Sequence, residues 1–228
     1  MEIVLLGHII GDFYFQPNCL AKVKNEKNKL LLLHSFIYAI TIYTSMSIAT
    51  KGFGMYMPAT VIFICHFAID KVKTIIENRN ILSCKYNAWI FIIDQIVHII
   101  VIYVVLQIWA IEFSSTSALI LACLLICWKP AAIFITKIFE ACTTTSDELV
   151  KNNEPGIINA GYWIGVLERI IIFILGLSGE YGAIGFVLAA KSLARHNDFS
   201  EPGFAEKYLI GTLLSSLIAF LCIVLCKM

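Results

Sequence analysis

The sequence predicts an all-α fold, a polytopic membrane bundle of about eight transmembrane helices. Three observations predict it. Of the 228 residues, 59% are hydrophobic and only 14% charged, against roughly 45–50% and about 25% in soluble domains. Mean hydropathy is +0.83. The apolar residues gather into runs near the roughly 20 residues that cross a bilayer core, and lipid-exposed backbone of that length must be helical to satisfy its own hydrogen bonds.

Six runs reach spanning length: Leu30–Ala49, Met57–Ile76, Ala88–Ile111, Ser117–Ile138, Gly161–Leu177 and Tyr208–Cys226. Two shorter ones, Met1–Phe15 and Tyr181–Ala194, complete the set as short or tilted segments. The first run lacks a basic leader and a small-residue cleavage site, and it holds His8 and Asp12, so it reads as retained. The stretch 141–160 is the long polar segment, a linker whose Ser146 is placed to cap a helix. It divides an N-terminal helical half, 1–140, from a C-terminal half, 161–228, within one integral membrane domain.

Basic residues fall in alternate loops. Lys22, Lys24, Lys27 and Lys29 follow the first run. Lys71, Lys73, Arg79 and Lys85 follow the third, and Lys191, Arg195 and Lys207 flank the last connection. Such loops stay cytoplasmic, so eight spans put both termini outside. The expected location is a cell membrane, the inner one in a bacterium. A net charge of +1 gives no reason to expect nucleic-acid binding. The eight cysteines contain no C-x-x-C pair, and the i,i+4 pairs Cys123/Cys127 and Cys222/Cys226 read as packing.

The chemistry-bearing pattern is a repeated His–Asp pair. "GHIIGDF" holds His8 and Asp12, "CHFAIDK" holds His66 and Asp70, and "DQIVH" holds Asp94 and His98. Residues i and i+4 share a helix face. Gln16 extends the first stripe by a turn, and His34 with Tyr38 forms a fourth stripe. The loop charges place all four helices' groups at one depth, on the cytoplasmic side. Ionisable groups at membrane depth cost at least about 2–3 kcal/mol each and normally pair, line a cavity or act. Histidine nitrogen and carboxylate oxygen suit a divalent ion, zinc first, with manganese or iron as alternatives. The predicted metal set is His8, Asp12, His34, His66, Asp70, Asp94 and His98, with His34 the one whose place at a helix start could leave it in water. Asp12 and Asp94 are the predicted catalytic carboxylates.

The second half carries Glu168 and Arg169 inside "IGVLERIIIF" and Lys191 and Arg195 in "AAKSLARHNDF". Neighbours on one helix lie about 100° apart, so Glu168 and Arg169 should each meet a partner on another helix. Glu168 and Glu206 are expected to be structural, with Glu206 bridging to Arg195 or Lys191. Arg169, Lys191 and Arg195 are the predicted contacts for an anionic headgroup.

With "GHIIGDFYFQ", "LLLHSFIYA", "HFAIDKVK", "DQIVHI", "GYWIGVLERIIIF", "GFVLAAKSLAR" and "EKYLIGTLLS" in view, the chain resembles domain-of-unknown-function family 3307. The resemblance implies a bacterial multi-pass membrane protein and supplies no activity. A looser similarity of residue type links the chain to membrane hydrolases that hold zinc through His and Asp, such as the ceramidase and adiponectin-receptor group. Their Ser-x-x-x-His and His-x-x-x-His spacings are absent, so their substrate is not carried over. The leading functional expectation is a metal-dependent hydrolase of a lipid or lipid-linked substrate at the cytoplasmic face, with membrane lipids as partners. The alternatives are a proton- or cation-coupled transporter using the same cluster, and a non-enzymatic membrane partner protein.

Overall fold

The computed structural model describes residues 1–16, 28–78, 86–111, 114–142, 160–200 and 203–228. The described residues are helical, with no strand among them. Eight α-helices follow the eight apolar runs: α1 Glu2–Ile9, α2 Asn28–Thr50, α3 Tyr56–Asn78, α4 Asn87–Ile108, α5 Thr116–Cys142, α6 Ala160–Ser178, α7 Tyr181–Ala194 and α8 Phe204–Lys227. Five of them, α2, α4, α5, α6 and α8, are long and apolar enough to cross a membrane. The expectation of about eight spans goes beyond these five, which are counted by length and composition among the described residues. Helix α7 has 14 residues and α1 has 8, too short for a bilayer core near 30 Å. Helix α3 has 23 residues but carries Asp70, Lys71 and Lys73. The predicted loop residues Lys22, Lys24, Lys27, Arg79 and Lys85, the cysteines Cys19 and Cys84, and the linker with Ser146 lie outside the described residues. Lys71 and Lys73 do not belong to a loop: α3 runs on to Asn78 and includes both.

The helices end where the backbone can turn. Ala110, at φ 50°, closes α4, with the Ile111 amide donating to the Leu106 carbonyl and the Ala110 amide to Gln107. Gly179, at φ 81°, closes α6 in the same way through Glu180 to Leu175 and Gly179 to Gly176. Both are left-handed C-terminal caps that satisfy orphan carbonyls.

The chain divides into two compact units. The first comprises Met1–Ala122 and Lys137–Cys142. Its α1 packs on α2, α2 on α3, and α3 on α4. Val4, Tyr38, Ile42, Met46, Ile62, Ile102, Val105 and Leu106 form its apolar core. Large apolar side chains also face outward, among them Phe36, Ile40 and Ile48 of α2 and Ile93, Ile96 and Ile100 of α4. An exposed apolar surface this extensive suits lipid, not water. The second unit comprises Cys123–Thr136 and Thr143–Met228, with α6 against α8 and α7.

Helix α1 lies unusually close to α2. A Cβ on Gly7 would stand 2.1 Å from Ser45 Oγ, and one on Gly11 would stand 2.4 Å from Thr41 Oγ1. Two glycines four apart therefore open the face of α1 that meets α2. Beyond Ile9 the chain widens into a π turn, Ile10–Tyr14, with the Phe15 amide donating to the Ile10 carbonyl at 3.0 Å. Asp12 sits inside that turn.

Candidate metal centre

All seven predicted His and Asp side chains are buried in the first unit, none more than 8% exposed. They come from α1 with its π turn, α2, α3 and α4. His34, expected to be the most exposed of them, has no accessible surface: α2 starts two turns earlier, at Asn28, and carries His34 inward.

Two groups hold ligand atoms mutually within 4.8 Å: Asp12 with His34 and His66, and His66 with Asp70 and His98. His34 Nε2 lies 3.3 Å from Asp12 Oδ1 and 3.6 Å from Asp70 Oδ2. Neither contact is aligned as a hydrogen bond. Three buried ring nitrogens, both of His34 and Nε2 of His66, have no hydrogen-bond partner among the described residues. Buried polar atoms are normally satisfied, and these three nitrogens depart from that rule. Buried imidazoles and carboxylates in this arrangement can hold a metal ion.

The remaining members of the seven are tied to protein. His8 Nδ1 lies 3.0 Å from the Tyr38 hydroxyl, and its Nε2 lies 3.3 Å from Gln95 Oε1. The Gln95 amide donates to Asp12 Oδ2 at 2.9 Å and to Asp94 Oδ2 at 3.1 Å. Asp94 Oδ2 also accepts from Lys73 Nζ at 2.7 Å. His98 Nδ1 lies 2.8 Å from the Asp94 carbonyl, and its Nε2 lies 2.6 Å from His66 Nδ1. The Tyr38 ring stacks on His66 with centroids 3.7 Å apart. Gln16, the expected extension of the first stripe, is buried as well.

Gln95 and Lys73 were not legible as parts of this cluster. The signal was present: an amide beside Asp94 inside an apolar run, and a lysine one turn beyond Asp70. Each reads alone as an isolated polar residue, and only the packing of α3 on α4 and α1 joins them.

The second-unit residues form a separate network. Glu168 and Arg169 are buried, and each meets another helix. Lys191 Nζ reaches Glu168 Oε2 at 2.5 Å and Thr212 Oγ1 at 3.0 Å. Arg169 Nε donates to the Cys127 carbonyl at 2.6 Å, and Nη1 to Ser215 Oγ at 3.1 Å. The expected bridge from Glu206 is replaced: Lys191 pairs with Glu168, Arg195 pairs with Asp198 at 3.5 Å, and Glu206 is exposed in the first turn of α8. The reason is reach, since Asp198 lies one turn from Arg195 while Glu168 faces Lys191 from the adjoining helix α6. Cys123, Cys127 and Cys222 are buried free thiols, with Cys226 half-buried.

These helices and this cluster define a multi-helical membrane protein with a buried His/Asp centre. The chain belongs to the DUF3307 family, described as proteins of unknown function, whose family model matches residues 1–126. The match contains every one of the seven residues. No curated protein and no solved structure matches the chain.

Proposed function

We propose that the protein is an integral membrane hydrolase that uses one divalent metal ion, zinc by its donor set, on a lipid or lipid-linked substrate at the cytoplasmic face. The observation that carries the reading is the buried His34 and His66 nitrogens that have no hydrogen-bond partner among the described residues, in a cluster with Asp12 and Asp70. Ligand atoms 2.0–2.2 Å from one tetrahedral ion stand about 3.3–3.6 Å apart, which is the separation of His34 Nε2 from each of the two carboxylates. Three protein ligands with a fourth position open is the pattern of catalytic rather than structural zinc. When bound, such an ion supplies Lewis acidity and an acidified water.

The residues supply the rest. Asp12, His34 and His66 would hold the ion. Asp70, 3.6 Å from His34 Nε2, would serve as the carboxylate that takes a proton from the attacking water and returns it to the leaving group. Asp94, the other carboxylate near the cluster, is held through Oδ2 by Lys73 and Gln95 and keeps Oδ1 without a hydrogen-bond partner among the described residues. The apolar outward faces and a cavity of about 270 Å³ between α2 and α3, lined by Phe36, Ile40, Tyr43, Tyr56 and Phe63 among others, support an acyl-bearing substrate. The basic loops support the cytoplasmic side. Arg169, Lys191 and Arg195, the predicted headgroup contacts, belong to the second unit and have partners there, Arg195 with Asp198.

The test is hydrolysis of a lipid panel by purified protein in detergent, read by mass spectrometry. The reading expects turnover that stops with chelator, returns with zinc and is lost in Asp70→Asn at unchanged metal content. Metal-independent substrate movement that needs a sealed vesicle and a gradient would replace it with the transporter.

A further inference from the structure

We infer that a chain of fixed imidazole tautomers selects the ligands of this centre: Asp12, His34 and His66 through its Nε2 hold the ion, while His98 and His8 stand outside and act by positioning. The inference rests on the metal reading above and assigns roles within it. A ligating histidine must be neutral, and a neutral imidazole has one N–H donor and one acceptor nitrogen. Each partner that can only accept, or only donate, therefore fixes a tautomer.

The chain starts at the backbone. The Asp94 carbonyl can only accept, so His98 Nδ1, 2.8 Å away, carries the proton. His98 Nε2 is then a bare lone pair. His66 Nδ1, 2.6 Å from it, must carry a proton and donate. That leaves His66 Nε2 with a lone pair, and it is the buried nitrogen of that ring with no protein partner. The 2.6 Å separation also argues against His66 Nδ1 and His98 Nε2 being joint ligands of one ion, because tetrahedral ligand atoms stand about 3.3–3.6 Å apart. His98 is thus the hydrogen-bond acceptor that orients a ligating histidine, a role usually filled by a carboxylate or carbonyl. The stacked Tyr38 ring, 3.7 Å away, fixes the plane of the same imidazole.

The same logic removes His8. Carboxylates only accept, so the Gln95 nitrogen faces Asp12 and Asp94, and its oxygen faces His8. His8 Nε2 then donates to Gln95, and His8 Nδ1 accepts from the Tyr38 hydroxyl. Both nitrogens are used. Gln95 joins the two chains by holding Asp12 Oδ2, which turns Oδ1 towards His34.

Two measurements test this on the full-length protein in detergent. The first is zinc affinity by chelator competition. His98→Gln keeps an acceptor near the Nε2 position and is expected to bind close to wild type. His98→Leu removes the acceptor and is expected to bind about 10–100-fold more weakly. His8→Gln is expected to retain one equivalent of zinc, and His66→Leu to lose it. Loss of zinc in His98→Gln as complete as in His66→Leu would overturn the assignment, by making His98 a ligand. The second is the ¹⁵N chemical-shift pattern of the histidines in metal-free wild type, which needs no variant to fold. Nδ1–H forms at His66 and His98 with an Nε2–H form at His8 are expected, and an Nε2–H form at His66 would overturn it. A wild type that binds no zinc would fail the metal reading, while the metal-free tautomers would still decide this inference.

Discussion

Asp12, His34 and His66 in the first unit and Glu168, Arg169 and Lys191 in the second are both buried polar trios on apolar helices, but they are satisfied differently. In the second unit each cation has found protein acceptors: Glu168 and Thr212 for Lys191, the Cys127 carbonyl and Ser215 for Arg169. In the first unit His8 and His98 are bonded and Asp94 is held through Oδ2, while both nitrogens of His34, Nε2 of His66 and Oδ1 of Asp94 have no hydrogen-bond partner among the described residues. The difference separates a staple from a site. Burial and charge alone do not distinguish them, since an ionisable group in a membrane helix is costly wherever it sits. What distinguishes them is where the unanswered atoms lie: Glu168 Oε1 is one oxygen of a carboxylate already paired with Lys191, whereas the unanswered His34 and His66 nitrogens belong to a cluster of mutually close ligand groups with Asp12.

The largest expected effect breaks the site side of the comparison. His34→Leu removes a ligand with no compensating partner, and bound zinc should weaken by more than about 100-fold with little change in thermal stability. Stability is checked by thermal unfolding of the same sample. A His34→Leu protein that keeps its metal would move the centre to the other group, His66 with Asp70 and His98.

The next effect breaks the staple side. Glu168→Gln leaves the Lys191 ammonium without its carboxylate, and loss of one partner of a buried pair costs about 3 kcal/mol or more. Thermal unfolding in detergent should fall by several degrees while metal content stays at the wild-type value. Reduced metal with unchanged stability would mean that the second network also serves the site.

Close packing of α1 comes third. Gly7→Ala places a methyl 2.1 Å from Ser45 Oγ, and overpacking of this kind costs about 1–3 kcal/mol. Ser45→Gly in the same chain should recover most of that loss, measured as the unfolding midpoint of single and double variants. Because Asp12 follows in the π turn, Gly7→Ala should also weaken zinc binding, though less than His34→Leu.

Acid sharpens the comparison further. Protonated imidazole cannot ligate, so zinc affinity should hold at neutral and alkaline pH and weaken on acidification. A chelator titration at several pH values reads this directly. The smallest effect belongs to the surface: Arg195→Ala removes a half-exposed pair with Asp198 and should change stability by less than about 0.5 kcal/mol.

Much of this was readable in the chain. The apolar runs marked the eight helices nearly residue for residue, because a helix in lipid announces itself by length and composition. The count of spans was not readable in the same way: α3 carries Asp70, Lys71 and Lys73 for the site and so departs from a plain apolar span, while α1 and α7 are too short. The i,i+4 pairs marked seven residues that are all buried in the first unit. Their division into groups with and without protein partners was not readable, because it depends on Gln95 and Lys73 arriving from α4 and α3. The π turn at Asp12 was hidden too, since i,i+4 spacing presumes an α-helix. Gly7 and Gly11 were in plain view within "GHIIG", but their meaning needs Ser45 and Thr41 across the helix contact.

The most direct test of the central claim is the metal content of wild-type protein purified in detergent, measured by elemental mass spectrometry beside His34→Leu. The account predicts about one equivalent of a divalent transition metal per chain in the wild type, retained through dialysis and absent from the variant. A wild type that holds no stoichiometric metal, even after incubation with zinc, would contradict it.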